Sequence, residues 1–232
     1  MNIYSIIEDA KRETNEVNVA FSGGKDAIVL IDLCYKHFKK ITAFFLYTVK
    51  GLGFQERYLK YIEKKYNLEI LRLPHWSIST SYKRSDYKIE TITGMSCDVL
   101  KPKDVYNYVR NKTGIEWIAT GIKIIDSLRR RGTIKHWGNG VDRQSKMMYP
   151  IAYFKNSTIF NYIKLNKLYV PHDYNLLRHS GIKNASFGGL MPKELIEVKR
   201  KYPEDYEKIL DVFPFAEAAV KKEEYASTVS EN

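Results

Sequence analysis

The sequence predicts an α/β fold, a Rossmann-like parallel sheet with helices on both faces, followed by a helical C-terminal extension. Strand-like and helix-like segments alternate along the first third of the chain, and the second strand-like segment, Ile41–Tyr47, is continuously apolar, as in a strand buried on both faces. A turn with two adjacent glycines joins the first of these strands to the first long helix. We expect residues 1–190 to form the α/β domain and residues 191–232 to form the extension packed on it.

Helix-like and strand-like segments alternate from the N-terminus to Pro74. Isoleucines spaced along one helical face predict the first element, and short apolar runs predict the strands. Pro74 ends the third strand, because proline has no N–H group to donate to a strand ladder. The predicted elements are, in order, helix Asn2–Glu16, strand Val17–Phe21, helix Ala27–Phe38, strand Ile41–Tyr47, helix Phe54–Tyr66 and strand Leu68–Leu73.

The middle of the chain contains one more predicted helix and one more predicted strand. Residues 75–94 are polar and rich in Ser, Thr and Tyr, which predicts a long surface excursion. A helix is predicted from Pro102 to Lys112, because proline is tolerated in a first helical turn. The apolar run Ile115–Gly121 predicts the fourth strand, and the polar, glycine-containing stretch 132–146 predicts a loop.

The last third of the chain is expected to be mainly helical. Residues 147–151 return to the sheet, and Ser157 is predicted to cap a helix that ends at Leu168. Residues 171–190 are expected to be irregular. The amphipathic pattern that follows is interrupted at Pro203, which predicts two helices, and the charged tail from Lys221 is expected to fray.

The composition predicts a cytoplasmic protein with anionic partners. The formal net charge of +11 suits nucleotides, sulfate-like groups or nucleic acid, although a basic surface also occurs without such partners. No apolar run is long enough to span a membrane, and the N-terminus has no signal-peptide pattern, so no membrane association is expected. Two cysteines cannot form a disulfide framework. Most of the 18 tyrosines have helical spacing, which favours amphipathic packing over an array for base stacking.

The segment Ser22-Gly23-Gly24-Lys25-Asp26 follows the first strand and opens the first long helix. Unpaired backbone N–H groups and the positive end of the helix dipole meet at such a turn, which suits a phosphate. The two glycines allow a close approach to an anion, Ser22 adds a donor and Lys25 adds a cation. The Asp26 carboxylate could hold Mg²⁺ or cap the helix. An ordinary strand–turn–helix corner with a glycine cap is the alternative.

This segment resembles the PP-loop of the adenine-nucleotide α-hydrolase-like superfamily. That superfamily includes ATP pyrophosphatases, the small subunit of ATP sulfurylase and the phosphoadenosine phosphosulfate (PAPS) reductases. A Walker loop is different, because its glycines stand further apart and precede Lys-Ser or Lys-Thr. The resemblance implies a HUP-type fold that binds an adenine nucleotide, either ATP or PAPS and AMP, with Mg²⁺ at Asp26.

Two further segments are similar to the PAPS reductase family within that superfamily. Thr120–Lys123, followed by Asp126-Ser127 and Arg129, is similar to the family's Gly-hydrophobic-Arg segment with Glu-Ser and basic residues after it. Residues 149–152 and 156–163 are similar to the family's Pro-Ile stretch and to the helix that follows. The chain resembles the short members, without the C-terminal cysteine, that phages and mobile elements carry.

The chain departs from that family at its sulfur chemistry. PAPS reductases attack sulfur with a C-terminal cysteine, whereas no cysteine follows Gly181 here, and no iron–sulfur cluster is expected. Cys34 falls in a predicted helix, and Cys97 is the candidate reactive thiol, with a plain buried cysteine as the alternative. The family's acidic residue before Thr-Gly at the end of the second strand is also missing from Tyr47–Gly51.

The expected site lies beyond the carboxyl ends of the parallel strands, where ligands bind in such sheets. The predicted catalytic residues are Lys25, Asp26, Lys123 and Arg129. The predicted nucleotide contacts are Ser22, Gly23, Gly24, Lys25, Asp26, Tyr47, Thr48, Gly121 and Arg130. The alternative for the arginines is a solvated helix face, and for Asp126 a charge that stabilises a helix N-terminus. His172 and His179 are candidates for a catalytic or metal role, with a surface or capping role as the alternative.

Several functions stay open on the sequence alone. The first is an enzyme that cleaves ATP between its α and β phosphates and passes AMP to an acceptor, in sulfur transfer or in modification of a nucleic acid or small molecule. The second is a nucleotide-binding subunit that acts through a partner enzyme, and the third is a nucleic-acid-binding component. A thiol-dependent PAPS reductase is disfavoured because its thiol is missing. The resemblance also implies a homodimer.

Overall fold

The computed structural model describes residues 5–83, 98–136, 140–171 and 190–230, and the chain divides into two compact units. The first unit combines Met1–Leu46, Leu59–Leu73 and Lys103–Val170. The second unit combines Tyr47–Tyr58, Pro74–Pro102 and Pro171–Asn232. The domain boundary expected at residue 190 adjoins residues 172–189, which lie outside the described ranges, so it stays a prediction.

Within the described residues, the first unit is built around a six-stranded sheet with the strand order β3-β2-β1-β4-β6-β5. The strands are β1 (Glu16–Ala20), β2 (Lys40–Tyr47), β3 (Ile70–Pro74), β4 (Ile118–Ala119), β5 (Val141–Asp142) and β6 (Met147–Met148). β1 pairs in parallel with β2 and β4, and β4 pairs in parallel with β6, whereas β5 is antiparallel to β6. The predicted α/β, Rossmann-like fold is confirmed, with an additional antiparallel edge strand that the sequence did not predict.

The helices alternate with these strands and then dominate the C-terminal part of the chain. In chain order they are α1 (Ser5–Lys11), α2 (Lys25–His37), α3 (Gly53–Tyr66), α4 (Ser77–Lys83), α5 (Pro102–Thr113), α6 (Leu128–His136), α7 (Asn156–Leu165), α8 (Pro192–Lys201), α9 (Pro203–Val212) and α10 (Ala216–Ser230). None of the described helices is long and apolar enough to cross a bilayer.

β1 lies in the middle of the sheet, and both polar atoms of its buried Asn18 side chain form hydrogen bonds. Asn18 is completely buried, its side-chain amide donates to the Ile115 carbonyl at 2.7 Å, and its side-chain oxygen accepts from the Thr42 hydroxyl. Asn18 also pairs in register with Ile118 of β4, so the carboxyl ends of β1 and β4 lie side by side. The segments that follow these two strands therefore start from the same edge of the sheet.

Helix α2 is buried over most of its length, including every residue from Ala27 to Cys34. Its one buried carboxylate, Asp32, accepts hydrogen bonds from the hydroxyls of Tyr66 at 3.0 Å and Tyr162 at 2.7 Å, and pairs with the Lys36 ammonium. A buried carboxylate with this many partners costs little free energy, because its lost hydration is replaced by hydrogen bonds and an opposite charge. The contacts hold α2 against the ends of α3 and α7.

Three sequence predictions for the first unit are wrong in detail. The stretch predicted as a loop from Gly132 begins inside α6, because the fully buried Ile134 anchors this helix and outweighs the low helix propensity of glycine. Ser157 is not an N-cap, since α7 begins at Asn156 with Lys155 before it. The fourth strand covers only Ile118–Ala119 of the expected run, because pairing with both neighbours is confined to these residues.

The second unit has its own apolar core, formed where α8, α9 and α10 pack on the segment that follows β2. The break at Pro203 is confirmed, since α8 ends at Lys201 and α9 begins at Pro203. The tail from Lys221 was expected to fray but continues α10 to Ser230. The fully buried Val220 holds it in place, together with the ion pairs of Lys199 with Glu224 and of Lys193 with Glu223 across α8 and α10.

The first part of the predicted surface excursion over 75–94 forms the short helix α4, whose residues are partly exposed. His75 is placed like a capping residue, because its Nδ1 atom lies 3.1 Å from the Ser77 N–H and accepts from it. Burial lowers the pKa of His75, so the ring stays neutral and keeps this acceptor near neutral pH. Residues 84–94 and the irregular stretch predicted for 171–190 lie outside the described residues, apart from Pro171 and Leu190.

Asp205 joins α9 to the start of α3 within the second unit. Its carboxylate accepts from the backbone N–H groups of Gly53 at 2.7 Å and Phe54 at 3.1 Å, and pairs with the Lys208 ammonium at 2.8 Å. Burial acts to raise the pKa of Asp205, but the N–H donors and Lys208 outweigh it and lower the pKa. The positive end of α3 is thereby neutralised from within the protein.

We expect Asp205→Ala to lower the free energy of unfolding by about 1–3 kcal/mol, because two N–H groups at the start of α3 lose their acceptor. Since the folded-state pKa is depressed, the contribution of Asp205 is complete above the unfolded-state pKa and disappears as the pH falls through the folded-state pKa. Urea unfolding at pH 7 and at acidic pH measures both effects. A loss in Asp205→Ala that is equally large at low pH contradicts this account.

Candidate functional site

The chain leaves the carboxyl end of β1 through Ser22, Gly23 and Gly24 and enters α2 at Lys25. Gly23 has a φ of +79°, in the left-handed region where a side chain is strained. Gly24 is extended and occupies the N-cap position, where no side chain caps the helix. The first backbone N–H groups of α2 are therefore not capped by a side chain of this turn.

The backbone N–H groups around this turn are free to bind an anion. From Ser22 to Ala27 none donates to an acceptor among the residues that the structure describes, and the first bond of the helix is that of Ile28 to the Gly24 carbonyl at 3.1 Å. Successive free N–H groups at a helix N-terminus form a concave donor set that suits a phosphate. The turn predicted at Ser22–Asp26 has the geometry that its sequence indicates.

Asp26 is held between two lysines. One carboxylate oxygen accepts from the Lys25 ammonium at 2.8 Å, and the other accepts from the Lys123 ammonium at 2.7 Å. Lys123 follows β4, and its side chain is 1% exposed, so its charge depends on Asp26 for compensation. The structure thus brings together Lys25, Asp26 and Lys123, which were all predicted as site residues.

A second carboxylate extends this cluster towards α6. Asp126 accepts from the backbone N–H of Lys123 at 3.1 Å, and it forms ion pairs with Arg130 at 2.8 Å and, at the longer distance of 3.8 Å, with the Lys123 ammonium. The Lys123 ammonium also donates to the Asn156 side chain at 3.1 Å, at the start of α7. Three cations and two carboxylates leave the cluster with a net positive charge, so it can attract an anion to the adjacent N–H groups.

Thr120 is a candidate site residue that sequence reasoning did not select. Its side chain is buried, and its hydroxyl has no hydrogen-bond partner among the described residues. A buried hydroxyl without a partner costs free energy, and a ligand atom can supply the missing bond. The position of Thr120 in the family-like segment Thr120–Lys123 is the signal that could have identified it. Asn156 likewise lies in the family-like segment 156–163, but its contact with Lys123 depends on the tertiary structure.

The remaining predicted residues take different positions. A Cβ atom at Gly121 would lie 3.8 Å from the Cβ of Asp26, so the chain after β4 passes close to the start of α2. Arg129 is exposed on α6, and its guanidinium has no acceptor within the described residues. Tyr47 and Thr48 belong to the second unit, so their nucleotide contacts stay a prediction.

The residues present do not form a ready-made magnesium site. Both oxygens of Asp26 accept from ammonium groups, and no group of three or more His, Cys, Asp or Glu side chains occurs in the described part of the chain. Divalent cations need several free oxygen ligands. Magnesium binding at Asp26 therefore stays a prediction.

The cysteine that can be placed has no reactive character. Cys34 lies inside α2 with no exposed surface, and burial raises the pKa of its thiol far above the usual range. A nucleophilic cysteine needs a lowered pKa and access to its substrate. Cys97, His172 and His179 lie outside the described residues, so their candidate roles stay predictions.

Comparison with known proteins points to one family. The profile of the phosphoadenosine phosphosulfate reductase domain matches residues 16–183. Among solved structures, the fold is similar to an NH3-dependent NAD synthetase from Campylobacter jejuni subsp. jejuni NCTC 11168, in complex with the nitrate ion, at 15% identity and a TM-score of 0.44. That match covers 95% of this chain and 90% of the synthetase chain. No curated protein matched the sequence.

We expect Asp26→Asn to lower the free energy of unfolding by about 2 kcal/mol, because the buried Lys123 ammonium loses its nearest counter-charge. Lys123→Met is expected to cost less than about 1 kcal/mol, since Asp26 keeps the buried Lys25 as a partner and no buried charge is left unpaired. Urea unfolding of both variants measures this asymmetry. An equal or larger loss in Lys123→Met contradicts the dependence of Lys123 on Asp26.

Proposed function

The chain belongs to the phosphoadenosine phosphosulfate reductase family, whose members are enzymes that bind adenine nucleotides, and we propose that it cleaves ATP between the α and β phosphates. AMP would pass to an acceptor, and pyrophosphate would leave. The observation that carries this proposal is the row of free backbone N–H groups from Ser22 to Ala27, beside a cluster with a net positive charge. This donor set matches the polyphosphate part of a nucleotide better than an uncharged ligand.

In the proposed reaction, a nucleophilic atom of the acceptor attacks the α phosphorus and gives up its proton to solvent. The bond between the α phosphorus and the oxygen bridging to the β phosphate breaks, and pyrophosphate leaves with the bonding electrons. The N–H groups of Gly23 and Gly24 and the Lys25 ammonium stabilise the charge that grows on pyrophosphate. Lys123, Arg129 and Arg130 supply further positive charge on the side of α6, and Asp26 positions the two lysines.

A nucleotide-binding role without turnover is the second candidate. Lys25 and Lys123 both donate to Asp26, so the cations nearest to the loop are already engaged by the protein. Such an arrangement can bind a nucleotide and transmit its presence to a partner enzyme without breaking a bond. A thiol-dependent sulfur transfer finds no support from Cys34, which is buried.

Turnover separates the two candidates. We expect the protein, incubated with α-labelled ATP and Mg²⁺ with and without nucleophilic acceptors, to yield labelled AMP and pyrophosphate. Lys25→Ala should lower AMP formation by about 10²–10³-fold, because a cation at the leaving pyrophosphate is removed. Lys112→Ala, an exposed lysine on α5, serves as the matched control and should have no effect. ADP as the product, or binding without any product, contradicts the proposed cleavage.

Gly23→Ala tests the loop without removing a charge. The substitution meets no atom within 4 Å, so its effect comes from the positive φ of +79°, and we expect nucleotide affinity to fall about 5–30-fold. Gly114→Ala is the matched control, because Gly114 also has a positive φ and open space but lies after α5. Isothermal titration with a non-hydrolysable ATP analogue measures both. A similar loss of affinity in the two variants indicates general strain and contradicts phosphate binding at the loop.

A further inference from the structure

A run of tyrosines crosses the surface of the first unit at the far end of α2 from the phosphate-binding loop. The rings of Tyr35 and Tyr66 meet edge to face with centroids 5.1 Å apart, and the rings of Tyr61 and Tyr169 do the same at 5.3 Å. The Lys65 ammonium joins the two pairs, since it lies 5.5 Å from the Tyr66 centroid and 6.0 Å from the Tyr61 centroid. These five residues are called the tyrosine surface below.

The tyrosine surface is accessible, although most tyrosines were expected to pack inside amphipathic helices. Tyr35 is 49% exposed, Tyr61 is 38% exposed and Tyr169 is 41% exposed, whereas Tyr66 is buried and supports the neighbouring rings. Exposed aromatic rings that are held by neighbouring rings lose little conformational entropy when a flat ligand stacks on them. The surface is therefore suited to stacking with aromatic groups.

Positive charge accompanies these rings. Lys64 and Lys65 are exposed near the end of α3, and neither forms an ion pair with a carboxylate within the described residues. The whole chain has a formal net charge of +11. Rings for stacking next to uncompensated lysines are the combination that binds bases and phosphates together, as in sites for single-stranded nucleic acid.

We propose that the tyrosine surface binds single-stranded nucleic acid, with unpaired bases stacked on Tyr35, Tyr61 and Tyr169 and phosphates paired with Lys64 and Lys65. A duplex fits less well, because its base faces are covered by neighbouring base pairs. Tyr35 lies nine residues along α2 from Asp26, which at the rise of an α-helix is about 14 Å. The tyrosine surface is therefore separate from the phosphate-binding loop, and this proposal does not depend on the proposed cleavage of ATP.

The experiment is fluorescence anisotropy with the full chain and labelled oligonucleotides of about 12 nucleotides, prepared as single-stranded RNA, as single-stranded DNA and as a duplex. We expect either or both single strands to bind more tightly than the duplex, and Tyr61→Ala/Tyr169→Ala to weaken that binding at least about tenfold. Tyr61→Phe/Tyr169→Phe keeps the rings and should keep the binding. Tyr108→Ala removes a tyrosine that is 54% exposed on α5, and it serves as the matched control with no expected loss.

A second pair of substitutions tests the lysines without disturbing the rings. Lys64→Gln/Lys65→Gln should reduce the slope of the logarithm of affinity against the logarithm of salt concentration by about 0.7 per lysine. Affinity for the ATP analogue should be unchanged in the tyrosine and lysine variants, which separates this proposal from the proposed cleavage. Absence of single-strand binding, equal affinity for the duplex, or unchanged binding in Tyr61→Ala/Tyr169→Ala would overturn the proposal. Loss of a dimer in that variant, without any oligonucleotide binding, would overturn it in favour of a protein interface.

Discussion

The carboxylate of Asp26, held between the ammonium groups of Lys25 and Lys123, is the interaction on which the candidate site depends. It connects the start of α2 to the segment after β4, and it does so with a lysine that has almost no access to water. An ammonium in that position is tolerated only with a counter-charge and further acceptors, which Asp26 and Asn156 provide. The pairing therefore places a positive charge beside the open N-terminus of α2 without leaving it uncompensated.

Two helix N-termini of this protein differ in what is available to accept hydrogen bonds from their first backbone N–H groups. At α3 the first N–H groups bind the carboxylate of Asp205, so the protein supplies its own anion. At α2 the N-cap residue is Gly24, which has no side chain, and the N–H groups stay available within the described residues. Helix ends need acceptors for these groups, and an end that the protein leaves open is where an external anion gains most.

The rest of the first unit keeps this open end in place. Both polar atoms of the Asn18 side chain form hydrogen bonds in the middle of the sheet. On α2, the Asp32 carboxylate accepts hydrogen bonds from two tyrosine hydroxyls and forms an ion pair with a lysine. Both groups are buried and polar, so each position is specified by its partners and not by apolar packing alone. A loop that must hold several N–H groups on one anion benefits from a strand and a helix that cannot shift.

Local patterns in the sequence determined the order of the elements, the turn at Ser22–Asp26 and the break at Pro203, because apolar runs, glycine pairs and proline act within a few residues. They also predicted that Lys123 belongs to the site, though by resemblance and not by derivation. The tertiary structure alone decided that Lys123 reaches Asp26 across 97 positions, that Ile134 makes a helix of a glycine-containing stretch, and that Tyr35, Tyr61 and Tyr169 form one exposed surface. These outcomes depend on which distant segments pack together. The periodicity of a sequence predicts local secondary structure, and it does not identify the residues far along the chain that a side chain will contact.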